Sequence, residues 1–262
     1  MAKLVTALSV NLNKIALLRN SRGSDYPSVI DFASRAVEAG ANGLTIHPRP
    51  DQRHIRVDDV YALGNYAAGL TNIEFNIEGN PFAPPLASAK HSDYPGLLKL
   101  IEQTRPDQAT LVPDNDDQLT SDHGFDLTQE GENIKLVVDQ LKHWGVRSSL
   151  FMDPDIEQIT LAKQVGADRI ELYTGPYALA CQHSPEAAAA SLATYRAAAD
   201  HAHHIGLGVN AGHDLNLENL GAFLSIGNIA EVSIGHALTV DGLILGYKVA
   251  ILDYIRLCNN LE

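Results

Sequence analysis

The chain has 262 residues, 45% of them hydrophobic and 19% charged, with a formal net charge of −13. Such a length and balance suit one soluble globular domain with a large core, and no apolar run reaches the roughly 18 residues of a membrane span. The acidic balance argues against a nucleic-acid partner but not against a small anion, which a few arginines and backbone N–H groups can hold inside a pocket.

The opening MAKLVTALSV has one lysine and then a strand-like run, with neither a cleavage pattern nor an arginine-rich transit composition, so a cytoplasmic location is expected. Cys181 and Cys258 match no zinc or redox spacing and read as reduced thiols. Eight short apolar runs follow one another, at residues 4–11, 43–47, 73–76, 108–113, 148–153, 169–173, 206–210 and 231–236. The first, LVTALSVN, is β-branched and apolar, as in a strand buried on both faces. Helices are predicted between the runs, over 27–40, 58–68, 96–104, 130–144, 156–165, 184–205 and 217–224, and a last one over 239–261. Residues 79–95 hold four prolines and read as an irregular crossing, and the polar, acidic stretch 114–126 reads as a loop over the mouth of the fold. Strand-then-helix repeated eight times predicts a single α/β domain, a (β/α)8 TIM barrel, whose active site lies where the strands end.

Most of the runs end in a group that can do chemistry. The second ends in His47, Pro48 and Arg49, with His54 close behind, a set able to move protons and clamp a phosphate. Glu74, with Asn76 two residues on, and Glu171 are acids inside apolar strands; they suit either acid–base work at a raised pKa or a structural ion pair. After the seventh run comes Asn210, Ala211, Gly212, His213, Asp214, and the eighth ends Ser233, Ile234, Gly235, His236. Loops after strands seven and eight frequently build the phosphate site of such barrels. The histidines at 201, 203 and 204 are explained by a helix end, and Asp114, Asp116 and Asp117 by a solvated loop. No strand has an interior lysine, which disfavours a Schiff-base aldolase, although Lys14 follows the first strand closely.

Taken together, VNLNKIALLRNSRG, GLTIHPRPDQRHI, NIEFN, SLFMDPD, IELYTGPYA, GLGVNAGH and IGHAL, in that order and spacing, resemble the PdxJ family of pyridoxine 5′-phosphate synthases over nearly the whole chain. The resemblance implies a transferase of vitamin B6 biosynthesis that condenses 1-deoxy-D-xylulose 5-phosphate with 3-amino-2-oxopropyl phosphate. Pyridoxine 5′-phosphate, phosphate and water would be the products. No cofactor and no metal are implied, because the substrate amine itself forms the imine. It further implies His47 and Glu74 as general bases, His213 as general acid and Glu171 as a stabiliser of the transition state. Asn11, Arg22, Asp214, Gly235 and His236 would contact the aminoketone phosphate, and Asn13, Lys14, Arg49, His54 and Thr120 the deoxyxylulose phosphate. A homo-oligomer, an octamer by resemblance, is the implied partner, with neither nucleic acid nor membrane. The chain departs from the family at Asn13 and Lys14, where Asp and His are frequent, and at Asp214, where glycine is common. Another phosphate-binding barrel lyase or isomerase, or a non-catalytic phosphosugar or vitamer binder, stays open on the sequence alone.

Overall fold

The structure, a computed structural model, describes residues 5–115 and 118–259. Its elements follow the chain as β1 (Ala7–Asn11), α1 (Asn13–Asn20), α2 (Val29–Glu38), β2 (Gly43–Ile46), α3 (Val57–Ala68), β3 (Glu74–Gly79), α4 (Leu97–Thr104) and β4 (Gln108–Leu111). There follow α5 (Leu127–His143), β5 (Arg147–Met152), α6 (Ile156–Gln164), β6 (Arg169–Tyr173), α7 (Gly175–His183), α8 (Pro185–His204) and β7 (Gly208–Gly212). The last elements are α9 (Leu220–Leu224), β8 (Glu231–Ile234), α10 (His236–Leu245) and α11 (Tyr247–Cys258). The eight strands pair in parallel and in sequence order, and β8 closes on β1 through Ala7–Glu231 and Val10–Ile234. This is the predicted (β/α)8 barrel. Among the described residues no helix is long and apolar enough to cross a membrane.

The two faces of each strand carry different chemistry, as the period of two requires. Leu8, Val10, Leu44, Ile46, Phe75 and Ile77 face outward and are buried under the helices. The inward positions between them are small and polar: Ser9 and Thr45 share a hydrogen bond of 2.7 Å, and Thr110 donates to the Asn76 side-chain oxygen at 3.2 Å. The apolar core is therefore the ring between strands and helices, while the barrel axis is filled by hydroxyls and amides that satisfy one another.

Several boundaries differ from the sequence expectation for local reasons. Asn13–Asn20 is helical directly after β1, and buries Ile15, Ala16 and Arg19. Arg19 is held by Asp59 at 2.5 Å and 2.8 Å, so a charged residue supplies part of what an apolar stripe would. The second helix begins at Val29 because the Ser28 hydroxyl caps it, accepting from the Asp31 N–H. The predicted final helix is two, broken at Gly246, whose φ of 90° no side-chain-bearing residue adopts readily; residue 261 lies outside the described residues, as does Leu4 at the start of the first run. β3 runs on to Gly79 and β7 to Gly212, which carries both strands closer to the mouth than expected.

Outside the barrel, Phe223 on α9 is fully buried against Tyr177 and Tyr195, with ring centroids at 5.3 Å and 5.5 Å. Phe223→Ala leaves a cavity there and is expected to cost about 3–5 kcal/mol, read as a lower midpoint in urea unfolding with an unchanged slope.

Candidate active site

The strand C-terminal ends open into one cavity of about 260 Å³, and it is lined by all the sequence-predicted site residues except Glu74 and Arg22. Asn11 ends β1, and Asn13 and Lys14 begin α1, so the short step from strand to helix delivers three polar side chains to the rim. Asn13 uses its side-chain oxygen to accept the His47 backbone N–H at 2.8 Å, fixing the turn that carries His47.

His47 lies just past β2 and is buried. Its Nδ1 faces Glu78 Oε2 at 3.9 Å and its Nε2 faces Asp114 Oδ2 at 3.4 Å. Burial, reinforced by Arg49 and Arg53, pushes its pKa down to about 3, so the ring is a neutral imidazole. His54 is likewise held well below the ordinary histidine value, by burial first and then by His47. Its Nδ1 accepts the Ile55 N–H at 2.9 Å, which leaves the proton of the neutral ring on Nε2.

Arg49 is anchored rather than free. It bonds Asp114 and donates to the carbonyls of Asn115 (3.3 Å) and Gln118 (3.0 Å). Asp114 is thus a buried structural partner and not the solvated loop residue its acidic surroundings suggest; Asp116 and Asp117 lie outside the described residues. The loop after β4 reaches the cavity through Leu119, Thr120 and Ser121. Its far side is pinned where the Gly124 N–H donates to Asp153 at 3.1 Å, which gives the last residue of the fifth run a role that the sequence left blank.

On the opposite wall, His213 Nδ1 lies 2.7 Å from Asp214 Oδ2 and its Nε2 lies 2.7 Å from the Thr120 hydroxyl. The hydrogen bond from His213, working against partial burial, holds the Asp214 carboxyl below its usual range, so it is ionised and Nδ1 carries the proton. Asp214 therefore turns toward the imidazole. His213 and Asp214 both have positive φ (87° and 59°), a conformation kept by Thr174, whose hydroxyl donates to the Gly212 carbonyl at 2.6 Å and also to that of His213. Gly235 caps α10 and His236 begins it, so the unpaired N–H groups of that helix start face the same cavity.

Three glutamates follow two different rules. Glu171 is buried on β6; burial, with Glu231 nearby, raises its pKa to about 8, and its Oε2 has no partner among the described residues. Gly212 makes room for it, because a Cβ there would overlap the Glu171 carboxyl. Glu78 on β3 is buried in the same cavity and is raised well above the usual value by burial, then by Glu171 and Asp114. Glu74 behaves otherwise. It begins β3 at the far end of the barrel, half exposed, and although burial alone would raise its pKa, its bond to Arg147 holds it low. The raised acid expected at 74 is found at 78, the inward position four residues on. Arg22 follows α1 on the exposed surface and does not reach the cavity of its own barrel. Among the described residues no cluster of three or more His, Cys, Asp or Glu is placed to hold a metal.

Comparison with known proteins adds three findings. The family model described as pyridoxal phosphate biosynthesis protein PdxJ matches residues 8–260. The chain is 52% identical over 253 residues to a protein of Xanthomonas campestris pv. campestris (strain B100) named pyridoxine 5′-phosphate synthase, covering 96% of each. It is 50% identical over 258 residues to the protein of that name from Xylella fastidiosa (strain M12), covering 98% of this chain and 96% of the relative. Among solved structures, 3-keto-L-gulonate-6-phosphate decarboxylase from Vibrio cholerae superposes with a TM-score of 0.62 at 9% identity, covering 98% of this chain and 99% of that one, a likeness of fold alone.

The raised pKa of Glu171 has a measurable thermodynamic consequence. Unfolded, the group titrates near 4.5, and folded near 8. Between these values the native state binds the extra proton, so native stability is full below the lower value and is lost as pH rises to the upper one. Glu171→Gln cannot ionise. Its melting temperature relative to the unsubstituted protein should therefore climb between about pH 5 and about pH 8.5; thermal melts at both pH values check this, and a constant difference would contradict it.

Proposed function

The chain belongs to the PdxJ family, and from that premise we propose that its barrel mouth carries out pyridoxine 5′-phosphate synthase chemistry. The substrates proposed are 1-deoxy-D-xylulose 5-phosphate and 3-amino-2-oxopropyl phosphate, joined in a transferase reaction to give pyridoxine 5′-phosphate, phosphate and water. One observation carries the reading: a single cavity joins a helix N-terminus, cationic nitrogen donors, four histidines and carboxyls held in their neutral form. Two phosphorylated substrates need anion donors, and a ring closure that expels water and phosphate needs several proton carriers side by side.

Each residue type fits a task in that sequence. The N–H groups at Gly235 and His236 suit one phosphate, as loops near strand eight do in many barrels. Lys14 and His54 present donors toward the other, beside the guanidinium of Arg49 that Asp114 and the loop carbonyls hold in place. The substrate amine adds to the substrate ketone, so the imine forms between ligands and no enzyme lysine is consumed. His47 stands as a neutral imidazole between Glu78 and Asp114, and it serves as the base once the negative charge of a bound phosphorylated substrate offsets the pull of Arg49 and Arg53. His213, with Nδ1–H tied to Asp214, presents Nε2 beside Thr120, where it takes up a proton and then delivers it as the acid. Asp214, where the family commonly has glycine, thus serves this reaction by orienting His213 rather than by touching phosphate. Glu171, neutral at physiological pH, supplies a hydrogen bond to developing negative charge without adding charge of its own.

A homo-oligomer belongs to the same proposal. Leu243 and Ile244 on α10 are 77% and 74% exposed, and Leu17 and Leu18 on the neighbouring α1 are also exposed, so two adjacent helices present an apolar face. Arg22 stands at the end of α1, exposed and outside its own mouth, which suits a contact with a neighbouring barrel.

Incubating the purified protein with both substrates is expected to generate the pyridoxine chromophore, and His47→Asn should cut turnover by about 10²–10⁴-fold. Binding without product would favour a vitamer-binding protein instead. Light scattering should return a mass well above the 28.3 kDa of one chain; a monomer would refute the oligomer.

A further inference from the structure

β3 carries three inward residues in one alternation, Glu74, Asn76 and Glu78, and only Glu78 reaches the cavity. The registers fix this order along the strand: Glu74 pairs with Gly43 at the start of β2, whereas Glu78 pairs with Thr110 of β4, two residues past the partner of Asn76. The contacts of the two carboxylates differ in kind. Glu74 holds Arg147, as Asp59 holds Arg19 and Asp114 holds Arg49. Glu78 Oε2 instead accepts from Asn11 Nδ2 at 3.4 Å and faces His47 Nδ1 at 3.9 Å, and Ser233 lines the same cavity. Asn11 and His47 line it as well. A carboxyl buried for stability is matched to a cation; this one is buried among neutral groups and turned to the space where substrates sit, an arrangement that keeps it protonated.

We propose that Glu78 is a further catalytic residue of this mouth, the acid that protonates a departing hydroxyl and afterwards takes up a second proton from the neighbouring carbon. This rests on the functional reading above, whose reaction expels water. In the step, the Glu78 O–H bond breaks and its proton passes to the substrate hydroxyl. The C–O bond breaks with its electron pair on oxygen, which leaves as water. The Glu78 carboxylate then takes a proton from the adjacent carbon, the C–H pair becomes the new C=C bond, and the neutral carboxyl is restored. Asn11 orients the acid through its side-chain N–H.

The test measures turnover of both substrates by the full-length protein carrying Glu78→Gln or Glu78→Asp. Gln keeps the size and the hydrogen bond from Asn11 but cannot carry the proton; kcat is expected to fall by about 10²–10⁴-fold with KM little changed. Asp keeps a carboxyl but withdraws it, and should recover about tenfold or more of the lost kcat while moving the limbs of the pH–rate profile. A Gln variant that retains wild-type kcat overturns the proposal, as does a loss of kcat that Asp does not relieve at all. Should the Gln variant fail to fold, the Asp variant decides: wild-type kcat with a wild-type pH profile overturns it, and a lowered kcat with a displaced limb and intact KM supports it. Absence of product from the unsubstituted protein is a separate result, which removes the functional reading and this step with it.

Discussion

The strict alternation of eight parallel strands governs everything else in this molecule. Outward positions are apolar and bind the helices to the barrel; the middle inward positions are short and polar and hydrogen-bond across the axis, with carboxyls standing toward its two ends. Parallel barrels are usually filled by bulky aliphatic side chains, which stabilise the interior but exclude titratable groups from it. Here the interior layer of Ser9, Thr45, Asn76 and Thr110 leaves a hydrogen-bonded floor on which Glu78 and Glu171 stand. That floor is polar enough to be satisfied and dry enough to keep carboxyls neutral, and these two conditions together set the chemistry of the mouth.

Charge is therefore distributed along the barrel axis by depth. At the far end Glu74 and Arg147 form a partly exposed ion pair, while the buried Glu231, 3.7 Å from Arg169, is raised by burial to about 7. At the mouth the carboxyls lack such cations, and the arginine that is present, Arg49, is occupied by Asp114 and by loop carbonyls. The same residue type is a strut at one end and a proton carrier at the other, and the difference lies in its depth and in what stands opposite.

Much of this was legible in the sequence. Eight apolar runs with helix-length gaps predict the barrel, and the residues closing those runs predict the mouth, because a strand's C-terminal end is a property of chain direction alone. What escaped was depth within a strand. NIEFNIEG contains two acids on one face, and periodicity cannot say which of them lies at the mouth until the register with Gly43 and Thr110 is known. Partnership between distant segments escaped as well: Asp114 looks like loop solvation until Arg49 is brought beside it, and Asp153 looks idle until the Gly124 N–H arrives. The helix over Asn13–Asn20 was hidden because its buried face is short and mixed, with Arg19 standing beside Ile15 and Ala16 where a longer apolar stripe would mark a helix.

Gly212 shows how tightly a reactive group and its surroundings can be bound together. The volume that a methyl group would occupy on that residue already belongs to the Glu171 carboxyl. The coupling runs one way: an alanine at 212 forces the Glu171 carboxyl to move, whereas a smaller residue at 171 leaves the glycine undisturbed. Two residues 41 positions apart, on neighbouring strands, thus share one space. Any scheme that grafts this carboxyl onto another barrel has to transplant the vacancy beside it as well.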